Sequence, residues 1–167
     1  MLLPITTEPN KLLHEVMPEL QPADLQTAKF KKLVTDMTET MYTDDGAGIA
    51  ANQVGVAWQV CVIAKQFTLD KKEDLVLINP RWEKQSIRKN WDTEGCLSVP
   101  LIYGDVKRYT KIRVWALDKN GKPLDFIAEH FFARVIQHEV DHLNGHLFIE
   151  KAKNLHKIEP EEKPGKI

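Results

Sequence analysis

The stretch FFARVIQHEVDHLNG, residues 131–145, constrains the fold of this chain more than any other segment. Its apolar residues recur at helical spacing, and Asn144 and Gly145 suit the left-handed turn that ends many helices. His138 and His142 are four residues apart, so their rings project from one face of such a helix. Because that face is otherwise apolar, the pattern predicts a buried helix with two histidines on one side.

The predicted helix carries Phe131 and Val135 on the same stripe as the two histidines. A neutral imidazole without a partner is costly in an apolar wall, and a metal ion would satisfy both rings. Glu139 lies beside the first histidine, where a carboxylate can hold a water molecule and accept its proton. The alternative is a pair of core histidines that are satisfied by hydrogen bonds.

A metal held by two histidines needs a third protein ligand, and the sequence offers several candidates. His146, Glu150 and His156 lie downstream, but none completes the longer metzincin pattern. Cys96 lies upstream in TEGCLSVP, the setting of a loop or strand edge, and with the two histidines would leave a fourth tetrahedral position open. Cys61 lies in the apolar run VAWQVCVIA, which predicts a core thiol and no disulfide.

Three motifs follow one another along the chain: GAGIAANQ at residues 46–53, EGCLS at 94–98 and QHEVDH at 137–142. In this order they resemble the signature motifs of the peptide deformylases, and the resemblance extends over about residues 4–150. It implies a metal-dependent hydrolase that removes the formyl group from the N-formylmethionine of newly made polypeptides and releases formate.

The resemblance also implies roles for individual residues. Glu139 would be the general acid and base, and Gln53 and the backbone N–H of Leu97 would form the oxyanion hole. The metal would have three ligands: Cys96, His138 and His142. The substrate would lie against four residues, two along its backbone and two around its methionine side chain: Ala47, Gly48, Phe131 and Val135.

Further expectations come from the same resemblance. Glu94 and Arg108 would pair beneath the cysteine loop. Leu101 and His130 stand where many family members have glycine, which leaves the local loop shape open. The cofactor would be one divalent metal ion, Fe²⁺ in the cell, with Zn²⁺, Ni²⁺ or Co²⁺ also able to bind. The partners would be N-formylmethionyl peptides and nascent chains, at the ribosome.

Two other classes of function stay open on the sequence. The HExxH motif alone also fits a zinc-dependent peptidase of another kind. A non-catalytic protein with a structural metal, or a deformylase relative that has lost its activity, is the second alternative. Glu139 and Gln53 argue against the second, because a closed structural site needs neither residue.

The net charge and the distribution of apolar residues limit the classes of partner that this protein can bind. The 167 residues carry 23 basic and 24 acidic side chains, a net charge of −1 that steers the protein neither to DNA nor to an anionic membrane. No apolar run approaches the ~20 residues of a membrane-spanning helix. The start, MLLPITTEPN, is typical of neither a secretory signal nor a transit peptide, which predicts a cytoplasmic protein.

The coarse pattern predicts an α+β fold with antiparallel sheets packed around the central metal-binding helix. An N-terminal helix should run from Pro22 to about Tyr42. KIRVWALD and PLDFIAEH should form a hairpin around Lys119-Asn120-Gly121. Two strands should precede this hairpin, near residues 56–64 and 74–80, and residues 81–88 could pair as another strand. Residues 1–150 should form one catalytic domain, and 151–167 a charged, frayed tail.

Overall fold

The computed structural model describes residues 1–159, and within them it contains two α-helices and two antiparallel sheets. The helices are α1 (Ala28–Thr43) and α2 (His130–Leu143). The strands are β1 (Gly48–Ala50), β2 (Val60–Ile63), β3 (Leu75–Lys84), β4 (Lys89–Cys96), β5 (Val99–Tyr109), β6 (Lys111–Leu117), β7 (Pro123–Glu129) and β8 (Lys153–Lys157). One sheet has the order β1-β2-β3-β6-β7 and the other the order β4-β5-β8. The expected α+β fold is confirmed.

Helix α2 lies at the centre of the molecule. Eleven of its fourteen residues are buried, and it contacts strands of both sheets. Such nearly all-round burial is typical of a helix enclosed by other elements. The helix ends as the sequence indicates, because Gly145 adopts a left-handed conformation with φ 77°. The two sheets therefore hold α2 and its side chains in a fixed position.

Helix α1 begins later than the sequence led us to expect. The predicted start at Pro22 is wrong, because Asp24–Gln26 form a separate 3₁₀ turn and Thr27 is extended. The Thr27 hydroxyl accepts a hydrogen bond from the backbone N–H of Phe30 at 3.1 Å and so caps the helix. The core face of α1 packs against β1 and β2 and brings the GAGIAANQ segment beside α2.

The strands before the hairpin also differ in extent from the prediction. Residues 81–88 do not form a strand of their own: β3 continues through Lys84, with an irregularity between Ile78 and Arg81. Pro80 cannot donate a ladder hydrogen bond, and Asn79 has φ 51°, so the strand is disturbed there without ending. The hairpin of β6 and β7 is confirmed, with full antiparallel pairing across the predicted turn.

The prediction of a frayed tail from residue 151 is wrong for its first part. Strand β8 pairs antiparallel with β5, with Ile102 opposite Lys157. The part of the predicted tail from residue 160 onward lies outside the described residues. Among residues 1–159, neither helix has the length and apolar character needed to cross a bilayer.

Candidate metal centre and active site

Three potential metal ligands meet beside α2. The Nε2 atoms of His138 and His142 lie 3.2 Å apart, and the Sγ atom of Cys96, the last residue of β4, lies 3.2 Å from the Nε2 atom of His142. One ligand atom from each residue lies within 4.8 Å of the other two. All three residues are buried. The structure thus brings together the cysteine and the two histidines that the sequence predicted.

The donor set fits a divalent metal. His138 donates a hydrogen bond from Nδ1 to Glu94 at 2.9 Å, so the lone pair on its Nε2 points toward the other two donors. The pKa of His142 is lowered well below its ordinary value by burial, which keeps this imidazole in the neutral form that binds metals. Burial raises the pKa of the Cys96 thiol to about 12, and a bound cation would offset this by stabilising the thiolate. One thiolate and two imidazoles are three ligands of a tetrahedral site with an open position.

Glu139 is buried beside this cluster, and neither of its carboxylate oxygens has a hydrogen-bond partner among residues 1–159. Burial raises the pKa of Glu139 well above its ordinary value. A carboxyl group with a raised pKa suits the transfer of a proton in both directions near neutral pH. Strand β1 lies against it, because a Cβ atom added to Gly48 would come within 2.6 Å of the Glu139 Oε1 atom.

Gln53 also reaches the cluster. Its Oε1 atom accepts a hydrogen bond from the backbone N–H of Ala50 at 2.8 Å, and its Nε2 atom donates to the Cys96 Sγ atom at 3.4 Å. The side-chain amide is therefore fixed with its donor group toward the metal ligands. Leu97 follows Cys96 directly and is buried. The structure thus places both predicted oxyanion-hole residues next to the ligand cluster.

Strand β1 offers an edge for an extended peptide. Within the described chain it is an outer strand of its sheet and pairs with β2 alone. The Ala47 carbonyl accepts a hydrogen bond from the Ala64 N–H at 2.9 Å, which anchors the start of the segment. An edge strand that carries small residues can pair with a peptide through main-chain hydrogen bonds.

The predicted stripe on α2 is wrong in one respect. Val135 is fully buried, as are the histidines, but Phe131 is 38% exposed. Phe131 lies in the first turn of the helix, where its ring packs against Phe67 with centroids 4.9 Å apart. Both rings line a cavity of about 200 Å³ together with Ala47. Phe131 therefore lies at the edge of this cavity, and the buried part of the stripe consists of Val135, His138 and His142.

The expected ion pair between Glu94 and Arg108 is confirmed. Arg108 donates from Nε and Nη2 to the two Glu94 oxygens at 2.6 and 2.8 Å, and both side chains are buried. Burial alone would raise the pKa of Glu94, but the hydrogen bonds from Arg108 and His138 outweigh it and hold the pKa well below its ordinary range. Arg108 also donates from Nη1 to Asp141 at 2.7 Å.

Two further residues of the site were missed from the sequence. Arg134 is buried and donates to Glu94 at 2.7 Å. An arginine inside an apolar helical stretch indicates a buried acidic partner, so this residue could have been predicted from the sequence. Asn52 donates to the backbone carbonyl of His142 at 2.6 Å, and no local pattern indicates this contact between residues 90 positions apart.

The downstream ligand candidates do not join the cluster. His146 and Glu150 are paired with each other at the surface, with Nδ1 and Oε2 3.0 Å apart. His156 is exposed on β8, where its ring lies 6.5 Å from that of Tyr103. Cys61 is buried in β2, as expected for a core thiol, and both cysteines are free.

Comparison with known proteins agrees with this geometry. Residues 2–158 match the family model described as polypeptide deformylase. The peptide deformylase of Symbiobacterium thermophilum is 42% identical over 160 residues, which cover 94% of this chain and 70% of that protein. The peptide deformylase of Stutzerimonas stutzeri is 43% identical over 147 residues, which cover 88% of this chain and 86% of that protein.

The solved structures give the same result. A class I type b peptide deformylase from Acinetobacter baumannii with bound actinonin is 31% identical, with a TM-score of 0.84 over 92% of this chain and 99% of that one. The Met-Ala-Ser-bound form of that protein is also 31% identical, with a TM-score of 0.84 over 90% of this chain and 98% of that one. The matched family model spans nearly the whole of the described chain. This protein therefore belongs to the polypeptide deformylase family.

Proposed function

We propose that this protein hydrolyses the N-formyl group of N-formylmethionyl polypeptides with Glu139 as general acid and base at a metal centre of Cys96, His138 and His142. The observation that carries the proposal is the buried Glu139 carboxylate, which lacks a hydrogen-bond partner among the described residues and lies beside three converging metal ligands. A structural metal site would have no use for such a carboxylate.

The three ligands would hold one divalent ion, and we assign Fe²⁺ in the cell, with Zn²⁺, Ni²⁺ and Co²⁺ able to bind the same donors. When bound, such an ion supplies Lewis-acid chemistry, because it polarises a carbonyl oxygen and lowers the pKa of a coordinated water toward ~7. Glu94 supports this site by fixing the His138 ring through Nδ1.

Glu139 moves the proton. Its carboxylate takes a proton from the attacking water as the water oxygen bonds to the formyl carbon. It then gives that proton to the nitrogen of the leaving amine, and the carbon–nitrogen bond breaks to yield a free methionine amino terminus and formic acid, which loses its proton to the solvent and becomes formate. Burial raises the pKa of Glu139, which makes its carboxylate a stronger base than an ordinary one.

Gln53 and Leu97 would stabilise the negative charge on the formyl oxygen. The Gln53 Nε2 group has a second N–H beyond the one directed at the Cys96 sulfur, and the backbone N–H of Leu97 is the second donor. Preorganised donors of this kind stabilise an oxyanion most effectively in a buried site that excludes water.

The peptide would lie along β1 next to Ala47 and Gly48, with the methionine side chain beside Val135 and Phe131. The short peptide Met-Ala-Ser binds to the similar Acinetobacter baumannii protein, and this supports an amino-terminal peptide as the ligand here. We propose that the natural substrates are nascent chains met at the ribosome in the cytoplasm.

Formate release from formyl-Met-Ala-Ser, with metal content measured on the same anaerobic sample, tests the proposal. Glu139→Gln should retain the metal and lose activity by a factor of ~10² or more, since a general acid–base is removed. Glu129→Gln is a matched control, because Glu129 is exposed and pairs only with Lys111 in the described chain. Metal loss in step with activity in Glu139→Gln would contradict the assigned role, and internal peptide cleavage without formate would contradict the reaction.

A further inference from the structure

The Glu94 carboxylate, which fixes His138, has all its acceptor positions filled. Its Oε1 atom accepts from Arg108 Nε at 2.6 Å and from Arg134 Nη1 at 2.7 Å. Its Oε2 atom accepts from Arg108 Nη2 at 2.8 Å and from His138 Nδ1 at 2.9 Å. A carboxylate offers about four lone-pair positions. Arg134 therefore occupies the last position on the group that orients a metal ligand.

Arg134 is itself held rigidly. It lies four residues before His138 in α2, so the two side chains share one helix face. Its Nη1 atom also donates to the Val106 carbonyl at 3.0 Å, and its Nη2 atom donates to the carbonyl and side-chain oxygens of Asn90, each at 3.0 Å. Only 2% of Arg134 is exposed. The planar guanidinium therefore links the helix to both β4 and β5 and leaves Glu94 little freedom to rotate.

The charges around Glu94 also favour a second cation at Arg134. Arg108 serves two carboxylates, because it donates to Asp141 at 2.7 Å as well as to Glu94. Asp141 is also paired with the Nζ atom of Lys151 at 2.7 Å, so the second cation in direct contact with Glu94 itself is Arg134. Arg134 supplies the second cation, and charges of this kind are tolerated inside a protein only when they are paired.

We propose that Arg134 is a positioning residue for the deformylation reaction, acting through Glu94 on the orientation of His138. It fixes the Glu94 carboxylate so that Oε2 faces His138 Nδ1, and the His138 Nε2 lone pair then points at the site shared with Cys96 and His142. This inference rests on the metal site proposed above. Loss of an outer partner of a metal ligand typically costs 10–100-fold in metal affinity or activity.

Arg134→Met removes the hydrogen-bond donors and keeps most of the side-chain length, while Arg134→Lys keeps the charge and removes the planar fork. Arg113→Met is the matched control, because Arg113 makes a comparable two-point pair with Asp125 at the exposed surface. Each variant is loaded with Co²⁺. Four properties are compared with wild type: the visible spectrum, the rate of Co²⁺ loss to a chelator, the melting temperature, and kcat and KM for formyl-Met-Ala-Ser.

Arg134→Met should show an altered Co²⁺ spectrum, at least ~10-fold faster Co²⁺ loss and a lower kcat with KM little changed. Arg134→Lys should fall between Arg134→Met and wild type, and Arg113→Met should match wild type. A lower melting temperature with a wild-type spectrum and wild-type Co²⁺ loss would overturn the proposal, because Arg134 would then serve folding alone. If Arg134→Met does not fold, Arg134→Lys decides by the same criteria.

The metal site is tested separately by Cys96→Ser in a protein that keeps Arg134. If Cys96→Ser leaves the Co²⁺ spectrum unchanged, the proposed ligand set fails, whatever the Arg134 variants show. If Cys96→Ser changes the spectrum and the Arg134 variants do not, the ligand set stands and the positioning role fails.

Discussion

The carboxylate of Glu139 lies directly against the backbone of Gly48, where a Cβ atom would approach Oε1 to 2.6 Å and Cγ to 2.9 Å. Glycine at this position thus leaves room for the Glu139 carboxylate, which we propose to be catalytic, and keeps the proposed peptide-binding edge of β1 free of a side chain. We expect Gly48→Ala to displace Glu139 and to lower kcat by at least ~10-fold, while overpacking lowers the unfolding free energy by about 1–3 kcal/mol. Steady-state kinetics and denaturant unfolding measure these two effects, and metal analysis checks that the metal is retained.

Gly46→Ala is the matched control for this prediction. A Cβ atom there meets its nearest neighbours at 3.2–3.3 Å, and two of these are side-chain atoms of Met41 and Leu97 that can shift slightly. Its effect on kcat should be clearly smaller than that of Gly48→Ala. Equal kinetics for Gly48→Ala and wild type would show that Glu139 can move without loss of function.

The two cysteines should respond differently to serine. Cys96→Ser should weaken metal binding or abolish turnover, because a hydroxyl group is a poorer ligand than a thiolate for these metals. Cys61→Ser should retain the metal and lower the unfolding free energy by about 1–3 kcal/mol, because it buries a hydroxyl group in an apolar strand. Metal analysis and unfolding of both variants check this. A fully metallated, active Cys96→Ser protein would remove Cys96 from the ligand set.

Arg108→Ala should be strongly destabilising. It would leave Glu94 without its two-point partner and Asp141 without its arginine partner. Breaking a buried ion pair by removal of one partner costs about 3–5 kcal/mol, and thermal unfolding should show it as a large fall in melting temperature. Turnover of the folded fraction should also fall. Unchanged melting temperature and kinetics would mean that this pair has little influence on fold or site.

Val135 is the buried residue that we place beside the methionine side chain of the substrate. Val135→Phe should narrow this space, and we expect a higher KM or no turnover for formyl-methionyl peptides, with the metal retained. Formyl-norleucine peptides should react with wild type nearly as well as formyl-methionine, since apolar pockets discriminate by only ~1–3 kcal/mol per methylene group. Wild-type selectivity of Val135→Phe across formyl-Met, formyl-Leu and formyl-Ala peptides would show that Val135 does not line the pocket.

The centre of the site was predictable because its geometry is local. The spacing of His138 and His142 fixes both rings on one helix face, and the apolar residues around them indicate burial. The residues alone indicate Cys96 only as one of several candidates for the third metal ligand. The resemblance of the three ordered motifs to the deformylase signatures favours it. Gln53 lies 43 residues before Cys96, so only tertiary structure shows the contact between them.

The wrong predictions from the sequence also have physical causes. Strand β8 is exposed along its whole length, so its sequence lacks the alternating apolar pattern that indicates a strand. Its charged residues instead led to the prediction of a frayed tail. Pro22 and Thr27 are both good helix-start signals, and packing decides between them. Phe131 has helical spacing to His138, but its side chain is 38% exposed, and spacing alone does not reveal which residues of a helical stripe the rest of the chain covers.

Leu101 and His130, which we expect to stand where many family members have glycine, both adopt left-handed conformations, with φ 65° and 54°. Such a conformation costs an ordinary residue about 1–2 kcal/mol, a cost that glycine avoids. The backbone keeps this path because main-chain hydrogen bonds hold it, from Ile158 N–H to the Leu101 carbonyl and from His130 N–H to the Thr110 carbonyl. The neighbouring strands therefore dictate the course of the chain at both points against its local preference. Glycine at either position should therefore relieve this cost without altering the proposed metal ligands.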